Sequence, residues 1–334
     1  METEELYKRL CNYKEQKTLP DERFLLELGD EAASVLEAES PIYRPRDKKG
    51  RSGGLLDFSK DGRSVIIVPD IHARRDFIFR ILSHKINSKR ILDLVADEEV
   101  IMVCVGDAVH AETIPFARDR WLRAYEGFEN GNTGNDAMKE EMTDSLYTVA
   151  MLMELKKEFP LSFHFLKGNH ENITNSSENG DHAFRKFALE GAMVKEFITD
   201  YYSEALLHVL NCYESNLSLA AIFDTFAVSH AEPRETYTRE EIVNYHEHPD
   251  VIDGFTWTAN DEAEEGSVIN TFKNLNPLAD MERILWFGGH RPVKGELEKR
   301  QQGRYIQIHN PDLMNIVVMD RKRIFDPETS IIRL

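Results

Sequence analysis

Short apolar runs that stop at metal-capable residues recur five times along this chain. Ser64-Val65-Ile66-Ile67-Val68 leads into Pro69-Asp70-Ile71-His72, and Val100-Ile101-Met102-Val103-Cys104-Val105 leads into Gly106-Asp107. Phe163-His164-Phe165-Leu166 leads into Lys167-Gly168-Asn169-His170-Glu171. Ala220-Ala221-Ile222-Phe223 and Phe226-Ala227-Val228 lead into Ser229-His230-Ala231-Glu232, and Ile284-Leu285-Trp286-Phe287 leads into Gly288-Gly289-His290-Arg291. Runs this short, rich in β-branched and aromatic residues, predict buried strands. Residues i and i+2 of a strand share a face. Asp70 and His72 therefore leave the first strand side by side at its C-terminal end, where α/β sheets bind ligands. Glycines beside three of these sites permit tight turns and close backbone approach.

Between the runs the apolar spacing is helical. Residues 1–40 carry Leu6, Leu10 and Tyr13, then Phe24, Leu25, Leu28, Ala33 and Leu36; residues 75–88 carry Phe77, Ile78, Ile81 and Leu82 on one side. Residues 41–54 read as an arm with Pro, Gly and basic residues. Residues 113–160 and 172–217 read as helical inserts, the first broken by the turn-rich Asn130-Gly131-Asn132-Thr133-Gly134-Asn135. Trp121 and Tyr125 in the first insert read as helix packing rather than as a surface for substrate. Residues 305–309, 315–319 and 323–334 read as closing strands.

The order D-x-H, G-D, G-N-H-E, H, G-H resembles the calcineurin-like metallophosphoesterases. The resemblance spans about residues 64–320. Within that superfamily the chain is most similar to the phosphoprotein phosphatase branch and the related diadenosine tetraphosphatase-like enzymes. Leu166-Lys167-Gly168-Asn169-His170-Glu171 is the strongest match, and Phe255-Thr256-Trp257-Thr258 is similar to that branch's L-W-S-D segment. The resemblance implies an α/β (α+β) fold, a four-layer αββα sandwich of two mixed β-sheets flanked by helices. It divides the chain into an N-terminal helical segment and arm over 1–60 and a catalytic domain over 61–334.

It also implies a dinuclear site. Asp70 and His72 would bind a first metal, Asp107 would bridge both, and Asn169, His230 and His290 would bind a second. Carboxylate and amide oxygens with neutral imidazoles suit two divalent transition metal ions, Mn²⁺ above all, or Fe or Zn²⁺. The paired cations would lower the pKa of a bridging water, and the hydroxide would attack phosphorus in line. His170 would act as general acid or transition-state stabiliser; the alternative is a histidine that only orients other groups.

The chain departs from the branch at one motif. Where the phosphoprotein phosphatases read G-D-x-V-D-R-G, this chain reads Gly106-Asp107-Ala108-Val109-His110-Ala111-Glu112. His110 stands where an Asp would support the general-acid histidine, and Ala111 where a phosphate-binding Arg would be. Glu112 is a candidate for the supporting role. His290-Arg291-Pro292 also lacks the second histidine of the G-H-x-H version. Arg74 and Arg291, whose guanidinium forks suit phosphate oxygens, are the candidate replacements, ahead of Arg75 and Arg234. Asn169 and His170 would also face the phosphate.

Length and charge bound the rest. The 334 residues suffice for a large core, and 41% hydrophobic and 10% aromatic content are ordinary for a globular protein. A net charge of −18 argues against an electrostatically recruited nucleic acid. No 18-residue apolar run and no signal-peptide core is seen, so neither a membrane span nor secretion is expected. Three widely spaced cysteines, Cys11, Cys104 and Cys212, read as reduced cytoplasmic thiols. The expected partner is a phosphorylated substrate; the oligomeric state is left open. The expected activity is a phosphomonoesterase on a phosphoprotein or small metabolite. The alternatives are a hydrolase of diesters or dinucleoside polyphosphates with the same site, and a non-catalytic interaction module. The last is disfavoured because all six ligands and His170 are present.

Overall fold

The computed structural model describes residues 3–321 and 323–334. Its strands in chain order are β1 (Leu55–Asp57), β2 (Ser64–Val68), β3 (Lys85–Ile86), β4 (Lys89–Arg90), β5 (Val100–Cys104), β6 (Phe163–Phe165) and β7 (Ala220–Ile222). They continue as β8 (Phe226–Ser229), β9 (Leu285–Gly288), β10 (Glu298–Arg300), β11 (Tyr305–Gln307), β12 (Asn315–Met319) and β13 (Ile331–Arg333). One mixed sheet has the order β13-β12-β2-β5-β6, the other β1-β7-β8-β9-β11-β10.

Alternation along the strands builds the layers. Val65, Ile67, Ile101, Val103, Ala221, Val228, Phe287 and Ile306 point between the two sheets and form one core cluster with Phe58 and Phe223. Their neighbours Ile66, Val68, Met102 and Cys104 point the other way, into a second cluster with helices Thr3–Glu15, Glu22–Glu37, Arg75–Ser83, Asp136–Glu158, Glu190–Tyr201 and Glu204–Ser215. Ala220, Ile222, Ala227 and Trp286 face a third cluster with helices Pro249–Thr256 and Ser267–Leu275. A strand buried on both faces puts successive residues into opposite cores. The result is the expected four-layer sandwich of helices, two sheets and helices.

Residues 3–60 are woven into these layers. The two N-terminal helices contribute Leu6, Leu10, Leu25 and Leu28 to the helix-side core, and β1 pairs in parallel with β7. Arg44 is fully buried and donates to Glu39, Gly53 and Asn216, which fixes the arm.

Two expected elements differ. The helix expected over 75–88 stops at Ser83, because Asn87 and Ser88 take φ of 49° and 71°. Positive φ at two central residues makes a tight hairpin turn, and Lys85 pairs with Arg90 across it. The strand expected over 323–334 is confined to Ile331–Arg333, preceded by a short helix, Pro327–Ser330, capped by Asp326. Among the described residues no helix is long and apolar enough to cross a membrane.

Candidate metal centre

The site residues sit in loops just past the C-terminal ends of β2, β5, β6, β8 and β9. Backbone bonds tie these loops to one another. His72 N–H donates to the Asp107 carbonyl at 2.7 Å and Gly289 N–H to the His230 carbonyl at 2.7 Å. His290 N–H donates to Asp70 Oδ2 at 2.9 Å, which joins the two sheets across the site. Glu171 accepts from the N–H groups of Asp107, Ala108 and Gly168 at 2.7–2.8 Å and so holds the β5 and β6 loops together. Gly106 has φ of +129°, and a Cβ there would stand 2.7 Å from Gly168 N; only glycine allows both. Four candidate residues, His72, Asp107, His110 and His290, take positive φ between 46° and 74°. Strain of this kind persists where surrounding structure over-determines it, often at functional sites.

The candidate ligands fall into two groups. In one, Asn169 Oδ1 stands 2.9 Å from His230 Nε2 and 2.9 Å from His290 Nδ1, and the two histidine nitrogens are 3.2 Å apart. Donors bound to a single ion at about 2.1 Å sit roughly 3 Å apart when at right angles, so this trio matches one coordination sphere. In the other, His72 Nε2 stands 3.9 Å from Asp70 Oδ2. His72 Nδ1 lies 2.9 Å from the His110 carbonyl, to which it donates, leaving the Nε2 lone pair facing the carboxylates. Between the groups lies Asp107, whose Oδ2 is 3.5 Å from both His72 Nε2 and His230 Nε2.

The electrostatics fit cations. Burial lowers His72 to about 3 and His230 to about 4, and pushes His170 and His290 well below the usual imidazole range. All four are then neutral near pH 7, the form that binds metals. Burial, with Glu171 and Asp70 close by, pushes the Asp107 carboxyl well above the usual carboxylate range. Asp70 Oδ1 is buried without a hydrogen-bond partner. An orphaned acceptor beside crowded carboxylates fits a site built around cations.

His170 lies over the Asp107 side of the centre. Its N–H donates to Asp107 Oδ1 at 3.0 Å and its Nε2 is 3.8 Å from Asp107 Oδ2. The His110 ring packs against it, tilted by 34°, with centroids 4.7 Å apart, and Phe184 covers it at 4.6 Å. Behind His110, Nε2 faces Glu190 Oε1 at 3.4 Å. Trp121 is fully buried, packs on His110 at 4.9 Å and donates to the Ala111 carbonyl, so its role is packing. Trp257 of the Phe255–Thr258 segment lies 6.4 Å from the His290 ring.

Two expectations need correction. Arg74 does not offer its guanidinium to a phosphate: it donates to the carbonyls of Asp70, Ile71, Pro311 and Leu313. Four carbonyls satisfy the fork, so it braces the loop from behind. Glu112 does not support His170 by a hydrogen bond; it bonds His309 and Lys186 instead. Burial alone would raise Glu112, but the hydrogen bond from His309 and the Lys186 ammonium hold it well below the carboxylate range. Arg75 donates to Tyr13 and Gln16 carbonyls and to Asp144, and Arg234 pairs with Asp253. Arg291 is exposed beside His290 and has no side-chain partner among the described residues.

Three residues at the site were not anticipated: His309, Glu171 and Lys186. His309 follows β11, so Tyr305-Ile306-Gln307-Ile308-His309 is a sixth apolar run ending in a metal-capable residue. A cleft of about 340 Å³ opens beside His72, bounded by Phe116, Arg120 and Arg123. Another cavity, of about 580 Å³, lies by Ser64 and Val100 at the opposite ends of β2 and β5.

No model of a known protein family matches the chain, and no curated protein does. Among solved structures it is similar to a protein serine/threonine phosphatase from Saccharomyces cerevisiae with similarity to human phosphatase PP5. That likeness has 12% identity over 94% of this chain and 90% of that one, with a TM-score of 0.54. A putative diadenosine tetraphosphatase gives 16% identity over 84% of this chain and 97% of that one, with a TM-score of 0.41. The cold-active protein-tyrosine phosphatase of a psychrophile Shewanella sp. gives 10% identity over 84% and 79%, with a TM-score of 0.44. The likeness to the yeast structure is one of architecture. The chain has the two-sheet sandwich fold of the calcineurin-like metallophosphoesterases.

Proposed function

We propose that the protein is a phosphoric ester hydrolase working with two divalent transition metal ions, and that its substrates are phosphomonoesters of a protein or small metabolite. The observation that carries this reading is the place of Asp107 Oδ2, equidistant from the two ligand groups. A carboxylate so placed is within reach of both groups and would be shared by two ions. Asp70, His72 and Asp107 would hold the first ion, and Asp107, Asn169, His230 and His290 the second. Cations held there supply Lewis-acid polarisation of a phosphoryl oxygen and a nucleophile at neutral pH.

The chain's own residues do the rest. Asp107 and Asn169 position the two groups against each other across the sheets. His170, with Nε2 3.8 Å from Asp107 Oδ2, is placed to pass a proton from its imidazolium form to the leaving oxygen. Arg291 is the exposed guanidinium available to phosphate oxygens.

Hydrolysis of p-nitrophenyl phosphate and of its bis-ester, by protein freed of metal and then reloaded with Mn²⁺, tests the reading. Monoester turnover that appears only with metal supports it. Preference for the bis-ester assigns the same site to diester or polyphosphate substrates. No turnover of either ester with any divalent ion contradicts the reading and leaves the fold as an interaction module.

A further inference from the structure

The Glu112 side chain, which has no counterpart in the motif this chain resembles, hydrogen bonds to His309 Nε2. An ionised carboxylate can only accept, so Nε2 carries the proton and Nδ1 carries the lone pair. Nδ1 is buried without a partner, 3.9 Å from Asp70 Oδ1, itself buried without a partner. His309 and Asp70 are both fully buried, and two acceptors facing each other in a dry site each carry an uncompensated desolvation penalty. A cation between them removes both penalties. The His72 ring completes the corner, 5.3 Å from the His309 ring, and Asp70, His72 and His309 offer donor atoms all within 4.8 Å of one another.

We propose that His309 is a ligand of the first ion through Nδ1, with Glu112, whose other oxygen lies 3.6 Å from His72 Nε2, fixing its ring and tautomer; this rests on the dinuclear reading above. A carboxylate behind a metal-bound imidazole fixes ring orientation and raises ligand basicity. The proposal makes the two ion positions alike. The first draws on Asp70, His72, His309 and the shared Asp107, the second on Asn169, His230, His290 and the shared Asp107. Each ion has two imidazoles, one oxygen of its own and the bridging carboxylate. It also explains why the motif around residues 110–112 departs from the branch. Glu112 serves the metal centre, and its second oxygen pairs with Lys186.

The test is metal affinity, not turnover. Wild-type protein, His309→Ala and Glu112→Gln, each freed of metal and checked for folding by circular dichroism, are titrated with Mn²⁺ against a competing chelator. Bound metal is counted by elemental analysis. The expected result is two ions for wild type. His309→Ala should hold one ion tightly and lose the other by more than the Glu112→Gln variant does, and added free imidazole should restore part of the loss. Glu112→Gln should keep two ions with one weakened about 10–100-fold. Two ions at wild-type affinity in His309→Ala overturn the proposal. If that variant does not fold, unchanged affinity for both ions in Glu112→Gln overturns it. Wild-type protein that binds no ion defeats the dinuclear reading itself, and this proposal with it.

Discussion

Asp107 and His230 come from different sheets, yet Asp107 Oδ2 stands 3.5 Å from His230 Nε2. The same oxygen stands 3.5 Å from His72 Nε2 in its own sheet. The loops after β5 and β8 are thus fixed so that a single carboxylate oxygen spans two sets of ligands. Every prediction about the centre depends on that placement.

His170 is held against Asp107 by its backbone and covered by His110 and Phe184, so its removal should leave the ligand groups intact. His170→Ala is expected to keep its metal content and lose turnover by roughly 10²–10⁴-fold. Because the lost step is protonation of the leaving oxygen, the deficit should shrink for aryl phosphates with acidic leaving groups. Steady-state rates across a series of substituted phenyl phosphates measure this. A uniform loss across the series would assign His170 to orientation instead.

The two arginines beside the site should separate. Arg74 is spent on four carbonyls, so Arg74→Gln is expected to lower stability by about 2 kcal/mol or more, since buried acceptors lose a charged donor. Arg291→Ala is expected to leave the melting temperature unchanged and raise KM several-fold at constant metal content. Paired thermal melts and saturation kinetics decide. The reverse pattern would put the phosphate on the Arg74 side.

Acid should weaken the fold through His164, which lies between the sheets against Phe58. Burial, and then Lys156, lower it to about 4. In the unfolded chain an imidazole titrates near 6.5, so below that pH the unfolded state binds the proton first and stability falls. The contribution is complete above about 6.5 and is lost as pH drops towards 4. Glu39 beside it is held low, so its share is lost only below its ordinary value of 4.5. His164→Asn should therefore show a shallower fall in melting temperature than wild type between pH 6.5 and 4.5. An identical fall in both would contradict this assignment.

The layered fold was legible because alternation in strands such as Val65–Val68 encodes two cores at once. The ligand loops were legible because each apolar run stops at its metal-capable residues. Proximity in sequence misled at Arg74: it neighbours Asp70 and His72, but its direction is set by the Pro311 and Leu313 carbonyls, 237 and 239 residues away. His309 was hidden for the opposite reason. Its run reads as a closing strand, and only the parallel pairing of β11 with β9 brings its end to the same edge as His290. The hairpin over 85–90 was missed because Asn87 and Ser88 sit inside an apolar pattern that suits a helix until both turn to positive φ.

The central claim is that Asp107 joins two ions in one centre. Electron paramagnetic resonance of protein loaded with Mn²⁺, with metal counted per chain, tests it most directly. The account predicts two Mn²⁺ per chain with the signal of a spin-coupled pair. Asp107→Asn should lose that coupling as its content falls towards one or none. Two uncoupled Mn²⁺ ions, a single ion in the wild-type protein, or a coupled pair that survives in Asp107→Asn would contradict it.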